Sequence, residues 1–220
     1  MTDNNEKVIL CSKTFAELDM SDYSDSVDCP VDWSKTLVER LSQNSCGRDV
    51  LCREGSLEIV RIISDISEGK GEEDDMALLD ELLETIKANA NCEMGRTAAE
   101  RINGLLGRQG EKWSQHIMRK RCPDLVCTAL ISLHIAPEKC TGCGECKVVC
   151  PEGVIAGGPN LIHVIDRASC TKCLECFNIC PEAAVVKTTT GAIIRAPEEP
   201  VPVGEVGRSG GEGRRRRRRG

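Results

Sequence analysis

The feature that most constrains this 220-residue chain is a cysteine pattern that occurs twice. The first copy reads Cys140-x2-Cys143-x2-Cys146-x3-Cys150-Pro151, and the second, thirty residues later, reads Cys170-x2-Cys173-x2-Cys176-x3-Cys180-Pro181. A single pair such as Cys140 and Cys143 would leave a zinc ribbon or a reactive disulfide open. Two complete runs, each closed by a proline, indicate thiolate ligands of iron–sulfur clusters.

The spacing also predicts how the cysteines are shared between clusters. Closely spaced thiolates can hold three corners of a cubane, but the loop is too tight to reach the fourth iron. The distant cysteine of each run should therefore cross to the other cluster. Cluster one is assigned to Cys140, Cys143, Cys146 and Cys180, and cluster two to Cys170, Cys173, Cys176 and Cys150. This arrangement resembles that of bacterial ferredoxins with two [4Fe–4S] clusters.

Composition and the N-terminus bear on other cofactors and on the compartment. Aromatic residues make up 2% of the chain, so a rich aromatic pocket for a flavin or a base is not expected. The polar start, residues 1–6, does not resemble a signal peptide, and the best apolar stretch, residues 125–135, is too short to span a bilayer. Cysteines spaced for metal without an export signal favour the reducing cytoplasm.

Charge is distributed unevenly along the chain. The formal net charge is -6, but residues 201–220 contribute +5 because seven arginines stand against two glutamates, which leaves -11 for the rest. An acidic body suits an electron carrier that docks on a basic partner, although it is also what a merely soluble surface requires. The block Arg214 to Arg219 is interpreted as a solvated tail, because no aromatic residues for stacking on nucleic acid are interleaved with it.

Hydrophobic periodicity predicts a helical region ahead of the cysteine runs. Four helices with an apolar stripe are expected: from Val31 to Asn44, after Gly55 and up to Gly69, after the acidic stretch 72–75, and from about Thr97 to Arg119. The last should break near Gly107 and Gly110. Short connections between striped helices indicate a small bundle.

A second cysteine constellation lies in this helical region. The segment Ser45-Cys46-Gly47-Arg48-Asp49-Val50-Leu51-Cys52-Arg53-Glu54-Gly55 is followed by Cys92 in Asn91-Cys92-Glu93-Met94-Gly95. It resembles the cluster-binding end of the NADH-binding flavoprotein subunit of NADH:quinone oxidoreductases and NAD-linked, electron-bifurcating hydrogenases. That family carries Ser-Cys-Gly-x-Cys-x-x-Cys-Arg-Glu-Gly and a fourth cysteine about forty residues on. The resemblance covers roughly residues 29–187 and implies a third cluster on Cys46, Asp49, Cys52 and Cys92.

One departure from the family falls on the third cluster. Asp49 stands where the family has its second cysteine. A carboxylate is a harder and weaker ligand of cluster iron than a thiolate. The site can therefore hold a [4Fe–4S] cluster with Asp49 on its fourth iron, or a cluster that loses that iron to become [3Fe–4S]. An empty site is the plain alternative.

A further departure concerns catalysis. In the family, flavin and NADH bind to an N-terminal domain with a glycine-rich phosphate loop. The forty-five residues before Cys46 are too few for such a domain, and no such loop occurs in them. We therefore expect no flavin or NAD on this chain and no active site of its own.

Four further ligand-type residues remain: Cys29, His116, Cys122 and Cys127. In the hydrogenase-type subunits that the chain resembles, matching positions bind zinc between the bundle and the ferredoxin module. Three thiolates and one imidazole suit a closed tetrahedral structural zinc site. Buried cysteines and a surface histidine without metal are the alternative. Cys11 has no evident partner, and His134 and His163 are interpreted as structural.

The predicted fold class is α+β, a small four-helix cluster-binding bundle followed by a bacterial-type 2[4Fe–4S] ferredoxin module. An N-terminal arm at 1–28 precedes the bundle at 29–134, the ferredoxin-like domain at 135–190 and a disordered tail rich in Pro, Gly and Arg at 191–220. Such a chain would relay electrons within a multi-subunit oxidoreductase, between a partner's flavin or hydride site and ferredoxin or another subunit. The alternatives are a free-standing soluble carrier and an iron–sulfur regulator that binds nucleic acid through its arginine tail.

Overall fold

A computed structural model of the chain describes residues 14–18, 20, 27–192 and 196–205. The chain divides into two compact units, Met1–Leu130 and Ile131–Gly220. Cys11, most of the predicted N-terminal arm and the arginines of the C-terminal tail lie outside the described residues. Within the part of the chain described, no helix is both long and apolar enough to cross a membrane.

The first unit is built on four helices. They are α1 (Pro30–Asn44), α2 (Val50–Ser67), α3 (Asp75–Asn89) and α4 (Glu93–Met118). Helix α1 packs against α2 and α4, and α3 packs against the same two helices. Short 3-10 turns at Phe15–Leu18 and Thr128–Leu130 flank this group. Their buried aliphatic side chains form one continuous core, which also contains Trp113 and the buried cysteines of the unit.

Helix α2 begins at Val50, ahead of Gly55, after which the periodicity predicts its start. Asp49 caps it, with its side chain accepting a hydrogen bond from the backbone N–H of Cys52 at 3.0 Å. Gly55 therefore lies inside the helix. A Cβ atom at Gly55 would lie 2.7 Å from Cδ1 of Ile86 on α3, so this glycine allows two helices to approach closely rather than starting one.

Helix α4 contains the predicted interruption. Gln109 has φ -125° and ψ 30°, which is non-helical, and it lies between Gly107 and Gly110. Glycine costs a helix about 1 kcal/mol relative to alanine, so two glycines three residues apart weaken this turn. The kink separates the half of α4 that begins at Cys92 from the half that carries His116.

The second unit contains four short strands and two short helices among its described residues. Strand β1 (Ile131–Ile135) pairs antiparallel with β4 (Val185–Thr189), and β2 (Ile155–Ala156) pairs antiparallel with β3 (Val164–Ile165). Helix α5 (Glu145–Val148) follows β1, and α6 (Glu175–Ile179) follows β3. The strand before the first cysteine run therefore pairs with the strand after the second run, which draws the two runs together.

Two boundaries differ from those expected from the sequence. The units divide after Leu130 rather than after residue 134, because β1 is paired with β4 and belongs to the second unit. Part of the predicted disordered tail is also ordered. Ile162 donates its backbone N–H to Val201 at 2.7 Å, and Val203 donates to Asn160 at 3.0 Å. Residues 201–203 thus form a short pairing segment against the loop at 160–162.

Candidate iron–sulfur and metal sites

Two cavities in the second unit are each lined by four cysteines. The first is lined by Cys140, Cys143, Cys146 and Cys180. The second is lined by Cys150, Cys170, Cys173 and Cys176. Each set takes three cysteines from one run and the distant cysteine from the other, as the sequence predicts. Since every residue of both sets is a free thiol, all eight sulfurs are available to a metal centre.

The backbone around these cysteines gives the runs their shape. Gly142 and Gly144 have φ of 75° and 88°, and Lys172 and Leu174 have φ of 58° and 68° at the matching positions of the second run. Such left-handed residues turn the chain so that successive cysteines face one centre. At Gly142 a Cβ would lie 2.8 Å from the backbone of Asn160, so glycine is required by space as well as by φ.

Burial is the main cause of the raised thiol pKa values in the two cavities. Burial first, and then the charge of Cys140, raises the pKa of Cys146 to about 11. Burial followed by the charge of Cys170 likewise raises the pKa of Cys176 to about 11. Four thiolates cannot share such a space unless positive charge compensates them. Iron supplies that charge, so the donor set fits a cluster and suits no purely organic ligand.

In the first unit, the N-termini of α2 and α4 meet at the second cysteine constellation. Cys52 lies in the first turn of α2 and Cys92 is the N-cap of α4; their exposures are 2% and 1%. Cys46, in the preceding loop, is exposed. Burial first, then the charge of Cys92 and a hydrogen bond with it, raises the pKa of Cys52 to about 12. Helix N-termini favour negative charge, which suits an anionic thiolate cluster.

Asp49 is buried and connects the two loops of this constellation. One carboxylate oxygen accepts the N–H of Cys52 at 3.0 Å, and the other accepts the N–H of Asn91. Each oxygen still keeps a lone pair, because a carboxylate offers about four acceptor positions. Asp49 therefore acts first as a bridge between the start of α2 and the start of α4.

The residues that flank the cysteines in the family-like segment also have local roles. The hydroxyl of Ser45 accepts the N–H of Gly47 at 3.3 Å and lies 3.9 Å from Sγ of Cys52. Arg53 donates to the carbonyl of Gly47 at 2.9 Å. A Cβ at Gly95 would lie 3.2 Å from Sγ of Cys52. The Ser-Cys-Gly loop is thus held against the Cys-Arg segment in the first turn of α2.

A third site gathers Cys29, His116, Cys122 and Cys127, all buried, with their ligand atoms within 4.8 Å of one another. Sγ of Cys29 lies 3.4 Å from Nε2 of His116, 3.7 Å from Sγ of Cys127 and 3.8 Å from Sγ of Cys122. Tetrahedral Zn–S bonds of about 2.3 Å place two sulfurs about 3.8 Å apart. The spacing matches a closed tetrahedral zinc site.

Backbone groups orient the ligands of this third site. The ring of His116 donates from Nδ1 to the carbonyl of Lys112 at 2.7 Å, which leaves Nε2 facing the sulfurs. Sγ of Cys122 accepts the N–H groups of Val126 and Cys127 at 3.4 and 3.5 Å. Nζ of Lys112 also binds the carbonyl of Asp28 and Oδ1 of Asp124, so it joins the loops that carry Cys29 and Cys122.

The electrostatics of this third site reflect four ligands crowded together. Hydrogen bonds from Cys127 and Cys29 hold the pKa of the Cys122 thiol far below its usual value. The pKa of the Cys127 thiol is raised by its bonds with Cys122 and Cys29 and by burial. Burial lowers the pKa of His116, but hydrogen bonds with Cys122 and Cys29 outweigh it and raise that pKa to about 10. A divalent cation would replace these shared protons.

Two kinds of residue at these sites are not evident from sequence reasoning. Lys112 reads as an ordinary surface lysine, and its bridging position is set by tertiary contacts alone. His163 lies against the first four-cysteine cavity, with Nδ1 3.9 Å from Sγ of Cys140. Comparing the two halves of the second unit at their thirty-residue offset would have marked His163, because Leu133 stands at the equivalent position.

The second unit has the architecture of a ferredoxin-type iron–sulfur domain, because its strands are paired and each four-cysteine cavity takes one cysteine from the other run. Comparison with known families agrees: residues 133–155 and 167–188 each match a 4Fe–4S binding domain. Residues 32–120 match the NADH-ubiquinone oxidoreductase-F iron–sulfur binding region. The chain thus contains a region similar to the iron–sulfur binding region of F-type NADH-ubiquinone oxidoreductase subunits, followed by two 4Fe–4S binding domains.

Curated relatives share this region. The chain is 38% identical over 133 residues to the NADP-reducing hydrogenase subunit HndC of Solidesulfovibrio fructosivorans, covering 60% of this chain and 27% of that protein. It is 31% identical over 99 residues to the F-type NADH-quinone oxidoreductase subunit of Streptomyces coelicolor, covering 45% and 22%. An F-type subunit of the Rhizobium meliloti NADH-quinone oxidoreductase gives 31% over 99 residues, covering 45% and 24%. The chain thus spans about a quarter of the length of these relatives.

Proposed function

We propose that the chain is an electron-transfer subunit of a multi-subunit oxidoreductase and relays single electrons between redox sites of its partners. The observation that carries this proposal is the pair of crossed four-cysteine cavities. Cys146 and Cys150 are four residues apart yet line different cavities, so two clusters held there would be close neighbours. Neighbouring clusters give electrons a continuous route without any catalytic residue.

The eight ferredoxin-type cysteines would hold two [4Fe–4S] clusters in the two sets of four that line the cavities. Backbone N–H groups support this assignment. The N–H of Ala184 donates to Sγ of Cys180 at 3.3 Å, and the N–H of Lys172 donates to Sγ of Cys170 at 3.4 Å. Such N–H···S contacts stabilise the negative charge of a thiolate-bound cluster.

The four helices of the first unit would form a bundle that binds a third cluster. Cys46, Cys52 and Cys92 would supply three thiolates, and Asp49 would take the fourth corner with an oxygen lone pair left over from its hydrogen bonds. A carboxylate that is already shared with two N–H groups is a weak iron ligand. The fourth iron should accordingly be the most easily lost.

Cys29, His116, Cys122 and Cys127 would hold a structural zinc ion. The support is geometric, since their sulfur and nitrogen atoms have tetrahedral spacing. Backbone groups also hold Nδ1 of His116 and Sγ of Cys122 in place. Zinc bound there would tie the start of α1 to the end of α4 and to the loop at 122–127.

The partners would be other oxidoreductase subunits, including one that carries flavin, and the acceptors would include soluble ferredoxin. A hydrogenase subunit is among the relatives, which supports partners within an oxidoreductase complex. The net charge of -11 ahead of residue 201 favours a basic docking surface on such a partner. We place the protein in the reducing cytoplasm, because its cysteines are spaced as metal ligands.

The test is metal content and electron uptake of the full chain, reconstituted without oxygen. Three cubanes and one zinc require about twelve irons and about one zinc per chain. A low-potential dye should reduce the protein in one-electron steps, and the reduced protein should pass those electrons to an oxidised ferredoxin without pyridine nucleotide. The matched control is Cys143→Ser with Cys173→Ser, which removes one ligand from each ferredoxin-type cluster.

Well-folded wild-type protein with fewer than about eight irons would contradict this proposal, as would a fully loaded protein that cannot be reduced by the dye. Stoichiometric flavin bound to this chain alone would replace the relay with a catalytic role.

A further inference from the structure

The two four-cysteine cavities of the second unit are related by the thirty-residue repeat at every lining position. Ten described residues line the first cavity and ten line the second. Each residue of one set has its counterpart thirty positions away in the other. The pairs are Ile135 with Ile165, Cys140 with Cys170, Thr141 with Thr171, Cys143 with Cys173, Cys146 with Cys176, His163 with Leu133, Cys180 with Cys150, Glu182 with Glu152, Ala184 with Val154 and Val185 with Ile155.

Strand pairing follows the same relation. In the register of β1 and β4, Ile135 lies opposite Val185. In the register of β2 and β3, Ile155 lies opposite Ile165. A shift of thirty residues converts one pair into the other, so the two halves present their cavities in equivalent surroundings. Differences between the cavities can therefore be assigned to the few positions where the side chains differ.

His163 is the one polar difference among these described lining residues. It occupies the position where the second cavity has Leu133, and both residues are 2% exposed. The other substitutions exchange one aliphatic side chain for another. Nδ1 of His163 lies 3.9 Å from Sγ of Cys140, and Nε2 has no hydrogen-bond partner among the described residues.

The surroundings of His163 fix the position of its ring. A Cβ at Gly157 would lie 2.5 Å from Cδ2 of His163, so the imidazole packs into the space that the missing side chain of Gly157 leaves. A thiolate sulfur can only accept a hydrogen bond, and an imidazole that carries a proton on Nδ1 can donate one. The tautomer with its proton on Nδ1 satisfies both groups.

We propose that His163 separates the reduction potentials of the two clusters, making cluster one the easier to reduce. This inference rests on the proposed function, in which both cavities hold cubanes. An N–H dipole directed at a ligand sulfur stabilises the extra negative charge of the reduced state. Leu133 offers no such dipole to cluster two. An electron that enters the second unit therefore resides mainly on the cluster held by Cys140, Cys143, Cys146 and Cys180.

The experiment measures the potentials of both clusters in the full reconstituted chain by redox titration followed by electron paramagnetic resonance. Variants His163→Leu, Leu133→His and the double exchange are compared with wild type. A hydrogen bond to a charged group is worth about tenfold in an equilibrium constant, which is about 59 mV for one electron. His163→Leu should lower the potential of cluster one by about that amount, and the double exchange should reverse the order of the clusters.

Controls separate hydrogen bonding from packing. His163→Asn keeps an N–H donor near the position of Nδ1 and should preserve much of the gap. Cys173→Ser disturbs only the second set of ligands and so assigns the two signals. Full iron content with an unchanged gap in both His163→Leu and the double exchange would overturn this inference alone. Fewer than about eight irons in folded wild-type protein would overturn the proposed function and this inference with it.

Discussion

Asp49 accepts a hydrogen bond from the backbone N–H of Asn91, so a side chain at the start of α2 holds the loop that leads into α4. The same carboxylate caps α2 through the N–H of Cys52. Both cysteine-bearing loops of the first unit therefore depend on one buried acid. This residue stands where the family has a cysteine, which makes it the most informative position to change.

Asp49→Ala should destabilise the first unit by about 2 to 4 kcal/mol, because two N–H groups lose a charged acceptor. Thermal or denaturant unfolding of the reconstituted chain measures the loss. Asp49→Asn is the matched control: its amide has one acceptor oxygen, so it should recover part of the stability. Hydrogen exchange at Asn91 should accelerate in Asp49→Ala. Unchanged exchange at Asn91 would contradict the bridging role.

Asp49→Cys should give a bundle cluster that resists oxidation, because a thiolate holds cluster iron more firmly than a carboxylate. The wild-type site should convert readily to a three-iron form after mild oxidation. Electron paramagnetic resonance distinguishes the two forms. If the anaerobic wild type shows no third cluster while Asp49→Cys acquires one, electrons must enter the second unit by another route.

Gly95→Ala should weaken the bundle cluster, because the added Cβ would lie 3.2 Å from Sγ of Cys52 and 3.3 Å from its Cβ. Iron content per chain is the measurement. Gly107→Ala on the same helix is the control, since a Cβ there meets nothing within 4 Å. It should stabilise the helix by about 0.5 to 1 kcal/mol and leave iron content unchanged. Equal iron loss in both variants would refute the packing argument.

Cys127→Ser should release zinc while leaving the ferredoxin-type clusters intact, because the four ligands of that site belong to the first unit. The zinc content measured by elemental analysis should fall from about one ion per chain toward none. The first unit should also unfold more easily, since α1 and the loop at 122–127 lose their link. Retention of zinc at wild-type affinity in Cys127→Ser would exclude this ligand set.

Cys180→Ser should remove the same spectroscopic signal as Cys143→Ser, although the two cysteines belong to different runs. Cys150→Ser should instead share its effect with Cys173→Ser. Electron paramagnetic resonance of the reduced variants makes the comparison. The opposite grouping, with Cys180 and Cys173 acting on one cluster, would show that each run holds its own cluster.

Local spacing explains what the sequence predicts well. The glycines at 107 and 110 predict the interruption of α4, which the structure confirms at Gln109. The crossed cysteine sets come from the reach of a short loop, and the structure gathers the same sets around its cavities. In these cases the residues that decide the structure lie within one turn or one loop of each other.

Long-range contacts explain what the sequence does not predict. Gly55 reads as a helix start, but its role is set by Ile86 on another helix. The bridging of Asp49 to Asn91 spans forty-two residues, and no periodic pattern carries that information. His163 reads as an isolated structural histidine until it is compared with Leu133 across the repeat. Each of these roles depends on a partner that only the folded chain supplies.

The pairing of Val201 and Val203 with Ile162 and Asn160 bears on how this module could be transferred to other proteins. A fragment cut after β4 would keep the four strands but leave the loop at 160–162, which packs on Gly142, without its pairing segment. Bare edges recruit foreign strands and aggregate. A transplantable electron-carrying cassette therefore extends to residue 203, well past its final metal ligand.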